Sequence, residues 1–442
     1  MEDYRAIADA VAADIAAGRL GPGDRLPPQR HFARRHRVAV STATRVYREL
    51  ARRGLTVGEV GRGTFVRAAR GDGAAALAEP GTARVDLELA FPMVEQTALM
   101  APVLAELGAE GALLDALGPV GVAGRPADRA AVADLLARDG WRPPEDRTSF
   151  TGSGREAIAA ALAAIAAPGD RIGVEPLTYP AVLGIATRLG LDLVPLETDE
   201  LGVTPEAVRQ AHRQHGLRGL YLQPVLHNPL GVSWSAARRT AVAELLVELD
   251  LPLVEDGVYA FLQDAAPVAA QAPDHVIHVD SMSKRLAPGL AVGVVVAPSS
   301  RRQALLAASR SGGWGPSRFA LTATTRWITE GVADVVVAAK REDAAVRQAV
   351  AAEVLRGFDV RADPQSYHCW WRLPEPWRAD TFVAAAARRG IGVTPAAGFA
   401  VNRGQAPTAV RLALAAPSRP DLRAALGVLA TLARSTDDLE VE

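Results

Sequence analysis

Lysine is scarce in this chain, and one of its two lysines lies where an amine could act as a nucleophile. Lys284 follows the strand-like run 276–280 and a turn rich in hydroxyl groups at 281–283. A lysine in a partly buried pocket has a lowered pKa and can form a Schiff base with an aldehyde. The alternative interpretation is a surface lysine in a loop.

Other polar residues, like Lys284, lie at or just after the ends of predicted strands. Asp256 ends an apolar run, Tyr259 comes three residues later, and residues 151–156 open a predicted helix with a Gly-Ser turn. Backbone amides at a helix N-terminus, with a serine hydroxyl, suit a phosphate. Each group alone is also explained by a cap or a turn. Together with Lys284 they provide what pyridoxal phosphate needs: a lysine, an acid for its ring nitrogen, a phosphate cradle and a flat neighbour for its ring.

The elements that carry these residues alternate along the chain from about residue 86. The strand candidates are 219–223, 252–255, 276–280 and 292–297, and the helix candidates are 155–167, 236–249 and 343–355. Such alternation predicts an α/β body, a mainly parallel sheet with helices on both faces. Functional groups in that architecture gather at the carboxyl ends of the strands.

The N-terminal residues predict a different architecture, a winged helix-turn-helix. Apolar residues at helical spacing predict a first helix, and the prolines and glycines of 21–28 predict a loop. A short helix is predicted over 29–36, and Ser41 is predicted to cap a second helix that ends near Arg53. The run 55–66 predicts two short strands around a glycine-rich turn.

The charge of this N-terminal part suits DNA. Residues 1–70 contain 14 arginines and 7 acidic residues, whereas the rest contains 35 basic and 43 acidic residues. Such asymmetry indicates an anionic partner for the head, although a small helical domain with solvated arginines is the alternative. Small hydroxyls and arginine at the start of a recognition helix fit base edges, and other arginines fit phosphates. The predicted DNA contacts are Arg30, Ser41, Thr42, Thr44, Arg45 and Arg62.

Length and composition exclude several other classes of protein. The 442 residues predict two or three domains, and 49% apolar residues suffice for a large core. A single cysteine, Cys369, excludes an internal disulfide framework, and we expect no metal site. No apolar run is long enough to span a bilayer and no signal peptide is recognisable, so we expect a cytoplasmic protein without a membrane partner. Residues 68–84, with glycines and a proline, predict a linker, so the expected domains are 1–67, a linker at 68–85, and 86–436.

Particular motifs resemble known families. In the head, Leu-Pro-Pro-Gln-Arg at 26–30, the stretch 40–50 and Gly-Arg-Gly-Thr-Phe-Val at 61–66 resemble the GntR-family winged-helix domain. In the body, the stretches 151–158, 175–180, 227–231, 255–259, 280–290 and 410–414 resemble fold-type-I, class I aminotransferases. The whole chain therefore resembles the MocR subfamily of GntR regulators. The resemblance implies a large domain with a mainly parallel sheet and a smaller C-terminal α+β domain.

The resemblance also implies a role for each matching residue. Lys284 matches the lysine that forms a Schiff base with pyridoxal phosphate, and Asp256 the acid that pairs with the pyridinium nitrogen. Asn228 and Tyr259 match the contacts of the phenolic oxygen, and Tyr179 the residue that stacks on the ring. Arg411 matches the arginine that takes an α-carboxylate. The implied phosphate ligands are Ser153, Gly154, Ser281 and Ser283.

Two positions depart from the families' pattern. Thr42 stands where the GntR family usually has an arginine, directly after the serine that opens the recognition helix. The base contacts that this arginine makes in the family are therefore not expected in the same form here. Ala291 stands where the aminotransferases usually have an arginine that grips the phosphate. Either another arginine substitutes, with Arg285 close in sequence, or the phosphate is held less tightly.

Three functions remain open at this point. The first is a transcription regulator in which an amino acid, an amine or pyridoxal phosphate itself acts at the body and modulates DNA binding by the head. The alternative is a working aminotransferase that carries a DNA-binding domain, and the third is a dimerisation scaffold that has lost the cofactor. The resemblance further implies a head-to-tail homodimer and paired or repeated half-sites on double-stranded DNA.

Overall fold

In the computed structural model, the N-terminal elements form a three-helix unit with a small antiparallel sheet. The model describes residues 4–16, 19–21, 24–52, 55–59, 63–66, 83–402 and 405–435. The head contains α1 (Tyr4–Ala16), β1 (Arg25–Leu26), α2 (Gln29–Arg35), α3 (Val40–Arg52), β2 (Thr56–Glu59) and β3 (Gly63–Val66). The sheet order is β1-β3-β2, and the core between helices and sheet includes Val11, Phe32, Val46 and Leu50. The predicted winged helix-turn-helix is confirmed.

Two local predictions for the head need correction. Ser41 is not the N-cap of the recognition helix, because the carbonyl of Ala39 already accepts from the backbone amides of Thr42 (2.9 Å) and Ala43 (3.1 Å). The helix therefore begins at Val40, and Ser41 lies in its first turn. The predicted loop 21–28 also contains β1, whose two residues pair with β3.

The body alternates strands and helices, as its sequence predicts. Its elements are β4 (Val85–Asp86), α4 (Thr97–Leu107), α5 (Glu110–Ala116), α6 (Pro126–Leu136), β5 (Thr148–Thr151), α7 (Gly154–Ile165), β6 (Arg171–Val174), α8 (Pro180–Leu189), β7 (Asp192–Pro195), β8 (Thr198–Asp199), β9 (Gly202–Val203), α9 (Pro205–His215), β10 (Gly219–Leu222), α10 (Ala236–Glu248), β11 (Leu253–Asp256), β12 (Val276–Ser281), α11 (Met282–Arg285), β13 (Gly293–Val296), α12 (Ser299–Ser311), α13 (Arg318–Thr329), α14 (Val332–Val354), β14 (Asp359–Ala362), β15 (His368–Arg372), α15 (Ala379–Arg388), β16 (Ile391–Gly392), β17 (Thr394–Pro395), β18 (Ala409–Ala413) and α16 (Arg419–Arg434).

A seven-stranded sheet of order β5-β13-β12-β11-β10-β6-β7 forms the large domain. Strands β12, β11, β10, β6 and β7 pair in parallel, and β13 runs antiparallel to both of its neighbours. Every residue of β10, β11, β12 and β13 is buried, which explains their continuous apolar runs. Because β5 points the same way as β12, the carboxyl ends of β5, β6, β10, β11 and β12 meet at one edge.

The smaller C-terminal domain is built on a four-stranded sheet of order β14-β15-β18-β17. Its strands pair antiparallel, and a core that includes Trp371, Phe382 and Leu426 fills the space between the sheet and helices α15 and α16. Cys369 lies in this core. Strand β4 pairs in parallel with β16, so the chain from Val85 onward is tied to this part of the body.

Helix α14 is longer than predicted. Helical periodicity indicated residues 343–355, whereas the helix begins at Val332. Gly331 precedes it with a positive φ of 75°, a conformation that favours glycine. Within the described ranges, no helix combines the length and apolar character that crossing a bilayer requires.

Candidate functional site

A cavity of about 320 Å³ opens at the edge where the strands of the large sheet end. Asp256 ends β11, Ser281 ends β12, and Ser153 caps α7 directly after β5. The C-terminal domain contributes Arg411 from β18. The residues predicted for cofactor and effector all line this one cavity: Ser153, Gly154, Tyr179, Asn228, Asp256, Tyr259, Ser281, Ser283, Lys284 and Arg411.

Lys284 reaches the cavity from α11. Its Nζ donates to the carbonyl of Ala90 at 2.6 Å and lies 3.5 Å from the ring centroid of Phe91. Burial, with the positive charges of Arg411 and Arg155, holds the pKa of Lys284 well below its usual value. The cavity therefore favours a neutral amine, which is the form that attacks an aldehyde.

Asp256 is buried beneath the cavity. Its Oδ2 accepts from the hydroxyl of Tyr221 at 2.5 Å, and its Oδ1 accepts from the amide of Val258 at 3.1 Å. Burial raises the pKa of Asp256, because neither of these neutral donors replaces the water that the carboxylate has lost. Both of these hydrogen-bond donors are neutral. Asp256 could therefore form a charge-assisted hydrogen bond with a cationic N–H group that entered the cavity.

Arg411 is buried at the C-terminal domain's side of the cavity. Its Nη1 donates to Oδ1 of Asn228 at 3.3 Å, and its Nη2 donates to the carbonyl of Glu88 and to Oγ1 of Thr394 at 3.2 Å. Its Nε has no hydrogen-bond partner within the described part of the chain. Burial lowers the pKa of Arg411, so a carboxylate here would gain a desolvated cation.

Hydroxyl groups and helix amides form a cradle where α7 meets the end of β12. The Oγ of Ser153 accepts from the amide of Glu156 at 3.2 Å, and the Oγ of Ser281 accepts from the amide of Ser283 at 3.3 Å. The close approach depends on Gly154, because a Cβ there would lie 2.9 Å from the Cβ of Ser281. Hydroxyls and the amides of a 12-residue helix thus face a common space.

Two tyrosines complete the walls of the cavity. The hydroxyl of Tyr259 donates to the carbonyl of Ala90 at 3.2 Å, and the hydroxyl of Tyr179 accepts from Nε of Arg155 at 3.2 Å. Burial raises the pKa of both tyrosines, so they act as neutral hydrogen-bonding groups.

Several residues of the cavity were missed at the level of sequence. Ala90 and Phe91 come from the segment after β4, and nothing in their local pattern indicates a site. Arg155 lies inside the quoted motif 151–158, which was the available signal. Arg285, considered as a substitute phosphate ligand, lies outside the cavity lining and donates to Oδ2 of Asp280 at 2.5 Å. It is engaged in a buried ion pair and does not replace an arginine at 291.

In the head, the predicted DNA-contacting residues lie on α2 and α3. Arg30, Ser41 and Arg45 are exposed, and Thr42 is half-buried. Thr44 is half-buried, and its hydroxyl lies 2.8 Å from the side chain of Gln29, which ties the two helices together. Arg62 lies outside the described residues.

The fold and the cavity define a class: a winged helix-turn-helix joined to an aminotransferase-like body. Family models agree, since "Bacterial regulatory proteins, gntR family" matches residues 3–66 and "Aminotransferase class I and II" matches residues 118–429. The chain belongs to the MocR subfamily of GntR-family regulators, which combine these two domains.

Individual relatives span both domains. The chain is 30% identical to YdeF of Bacillus subtilis, an uncharacterized HTH-type transcriptional regulator, over 94% of this chain and 90% of that protein. It is 26% identical to PtsJ of Salmonella typhimurium, a vitamin B6 salvage pathway transcriptional repressor, over 86% and 87%. An archaeal alanine:glyoxylate aminotransferase structure superposes with a TM-score of 0.74 over 82% of this chain and 94% of that chain. At 19% identity, this match shows the fold alone.

Proposed function

We propose that this protein is a DNA-binding transcription regulator whose aminotransferase-like body binds pyridoxal phosphate and responds to a small amino acid, an amine or the cofactor itself. The observation that carries this proposal is that all ten residues predicted for cofactor and effector, Lys284 among them, line one cavity. The relatives named as transcriptional regulators support regulation over metabolism as the role of the chain.

The residues of the cavity fit pyridoxal phosphate. When bound, this cofactor would supply an aldehyde for a lysine amine and a ring that accepts electrons. Lys284 offers the neutral amine, and Asp256 would hold the proton of the ring nitrogen. Ser153, Ser281 and Ser283, which the close approach at Gly154 brings together, would hold the phosphate. Asn228 and Tyr259 would bind the phenolic oxygen, and Tyr179 would stack on the ring.

The effector would be recognised chiefly through Arg411. A carboxylate suits this arginine, whose Nε is an unpaired donor in the described structure. Because Arg411 belongs to β18 and Lys284 to α11, a ligand that contacts both would link the two domains of the body. If two conformations of the protein differ in the distance between Arg411 and Lys284, such a ligand binds one of them more tightly. It then shifts the populations of the two conformations by this difference in affinity.

The head would bind double-stranded DNA through Arg30, Ser41, Thr42, Thr44, Arg45 and Arg62. We propose a domain at 1–67, a linker at 68–85 and a body at 86–436. A head-to-tail homodimer would present two recognition helices to paired half-sites in the cytoplasm. The match of the GntR family model to residues 3–66 supports the DNA-binding part of this proposal.

Enrichment of DNA fragments from a random duplex library tests the regulator directly. The full-length protein, loaded with pyridoxal phosphate, is expected to select a common sequence with repeated half-sites at low salt. Affinity for that sequence is then measured with the cofactor removed and with each of the twenty amino acids added. Failure to enrich any sequence at low salt would contradict the proposal.

A working aminotransferase is the second candidate, because Lys284, Asp256, Tyr259 and Arg411 are all present in the cavity. Incubation with amino acids and a keto acid separates the two. Sustained formation of a new amino acid would establish the enzyme, whereas amino-acid binding without sustained turnover would support the regulator.

A further inference from the structure

A bound phosphate ester would bring two negative charges to the cradle at the start of α7. The hydroxyls of Ser153, Ser281 and Ser283 and the amides of α7 donate hydrogen bonds but carry no full charge. Ala291, which also lines the cavity, contributes none either. Buried or half-buried phosphates are held most strongly by charge-assisted hydrogen bonds, so a cation beside the cradle would add substantially to binding.

Among the described residues, three basic side chains line the cavity, Lys284, Arg411 and Arg155, and Arg285 is a further candidate from its place in the sequence. Lys284 is the amine for the aldehyde, and Arg411 is bound by Asn228, Thr394 and the carbonyl of Glu88. Arg285 is paired with Asp280 and lies outside the cavity lining.

The remaining basic side chain of the cavity lining is Arg155, the residue after Gly154 in the first turn of α7. It lines the cavity together with Ser153, Ser281 and Ser283. Its Nε donates to the hydroxyl of Tyr179, and its two terminal nitrogens have no protein partner among the described residues. Within the part of the chain that the structure describes, no carboxylate forms an ion pair with Arg155, whereas Arg285 is paired with Asp280. Its guanidinium therefore brings uncompensated positive charge to the cradle and has free donors in a planar fork.

We propose that Arg155 is the arginine that binds the cofactor's phosphate in this protein. The inference rests on the proposed cofactor site and names the cation that the cradle itself does not supply. By holding both the phosphate and the Tyr179 hydroxyl, Arg155 would also fix the ring that stacks on the cofactor. Arg155 is thus a binding residue for the phosphate and a positioning residue for Tyr179.

Titration with two aldehydes tests this role. Cofactor-free full-length protein is titrated with pyridoxal phosphate and with pyridoxal, which lacks the phosphate, and binding is followed by absorbance. Arg155→Gln is expected to weaken the binding of pyridoxal phosphate roughly 10- to 100-fold, the range for one hydrogen bond to a charged group. Binding of pyridoxal should stay within about twofold of wild type. Arg155→Lys should be intermediate, because it keeps the charge but loses the fork.

Arg310→Gln is the matched control, since Arg310 is exposed on α12 and lies outside the cavity lining. It should bind both aldehydes like wild type. The ³¹P resonance of the bound cofactor gives a second readout, and its titration with pH should change in Arg155→Gln but not in the control.

The outcomes separate the two proposals. In one outcome, wild type binds pyridoxal phosphate, and Arg155→Gln weakens the binding of both aldehydes equally or of neither. This outcome would overturn the role of Arg155 but would be consistent with the cofactor site. Wild type that binds neither aldehyde would overturn both. If Arg155→Gln loses its thermal transition, the same two-ligand comparison with Arg155→Lys decides in its place.

Discussion

Burial controls the protonation of the ionisable residues around the cavity. The same desolvation that lowers the pKa of Lys284 raises the pKa of Asp256 and takes that of Glu175 to about 8. Glu175 directly follows β6, and its Oε1 accepts from the amide of Gln223 at 2.7 Å. A neutral Glu175 also leaves Asp256 as the carboxylate free to balance a cation in the cavity.

Glu175→Gln tests this protonation. The folded pKa of about 8 exceeds the usual 4.5, so the native state binds the extra proton between these pH values. The stability contributed by the protonated Glu175 is full below pH 4.5 and is lost as pH rises through 8. Glutamine copies the neutral acid without titrating. The variant should match wild type near pH 5 and unfold at higher temperature than wild type near pH 8.

Exposed Glu342→Gln is the control for this pH series and should follow wild type throughout. A constant difference in unfolding temperature between Glu175→Gln and wild type from pH 5 to 8 would contradict the assignment.

The second lysine, Lys340, forms hydrogen bonds with the backbone of the segment that contains Lys284. Lys340 in α14 is fully buried, and its Nζ donates to the carbonyls of Lys284 (2.9 Å) and Leu286 (2.7 Å). Lys340→Met fills similar space but leaves both buried carbonyls unpaired. We expect a loss of about 2–6 kcal/mol in the free energy of unfolding, at about 1–3 kcal/mol for each of the two carbonyls.

Urea unfolding measures this loss, with Glu342→Gln on the same helix as the control. That exposed substitution should change stability by less than about 0.5 kcal/mol. A Lys340→Met protein as stable as wild type would show that the two carbonyls find other donors.

At the scale of elements, two helices carry groups that are proposed to contact ligands. Helix α7 begins at the cradle, and its small buried residues, among them Ala157, Ala160 and Ala161, let it lie close against the sheet. Helix α3 presents Ser41 and Arg45 outward while Val46 and Leu50 hold it to the core of the head. Each helix thus orients a short polar segment by burying its opposite face.

Arg30 on α2 is expected to contact a DNA phosphate. Arg30→Ala should weaken binding uniformly across sequences and reduce the slope of log K against log salt by about 0.9. Arg19→Ala is the matched control in the same head, because Arg19 pairs with Asp14 at 2.7 Å. Equal salt slopes for Arg30→Ala and wild type, measured by fluorescence anisotropy, would remove Arg30 from the interface.

Local patterns predicted the elements better than the contacts between distant segments. The strand ends at Asp256 and Ser281 follow from apolar runs and turn residues, so the large sheet and most of the cavity were predictable. The contact of Lys284 with Ala90 joins residues 194 positions apart, and no local pattern encodes it. The predicted start of α3 was wrong, because the first hydrogen bonds of the helix are accepted by the backbone carbonyl of Ala39 and not by the side chain of Ser41.

At the scale of the whole molecule, one chain joins a basic head to an acidic body. Residues 1–70 contain twice as many arginines as acidic residues, and the remainder has an excess of acidic residues. A basic head is drawn to DNA electrostatically, while an acidic body disfavours nonspecific binding of the rest of the chain. In the proposed function, regulation would depend on whether the cavity around Lys284 holds the cofactor.

The absorption spectrum of purified protein, with pyridoxal phosphate added and before and after borohydride, is the most direct test of cofactor binding at Lys284. Wild type is expected to show the band of a cofactor–lysine adduct, and reduction should fix the cofactor covalently to the peptide that contains Lys284. Lys284→Ala should show neither. Wild type that stays colourless with added cofactor, or reduction that labels Lys284→Ala equally, would contradict the account and leave the body as a scaffold for the DNA-binding head.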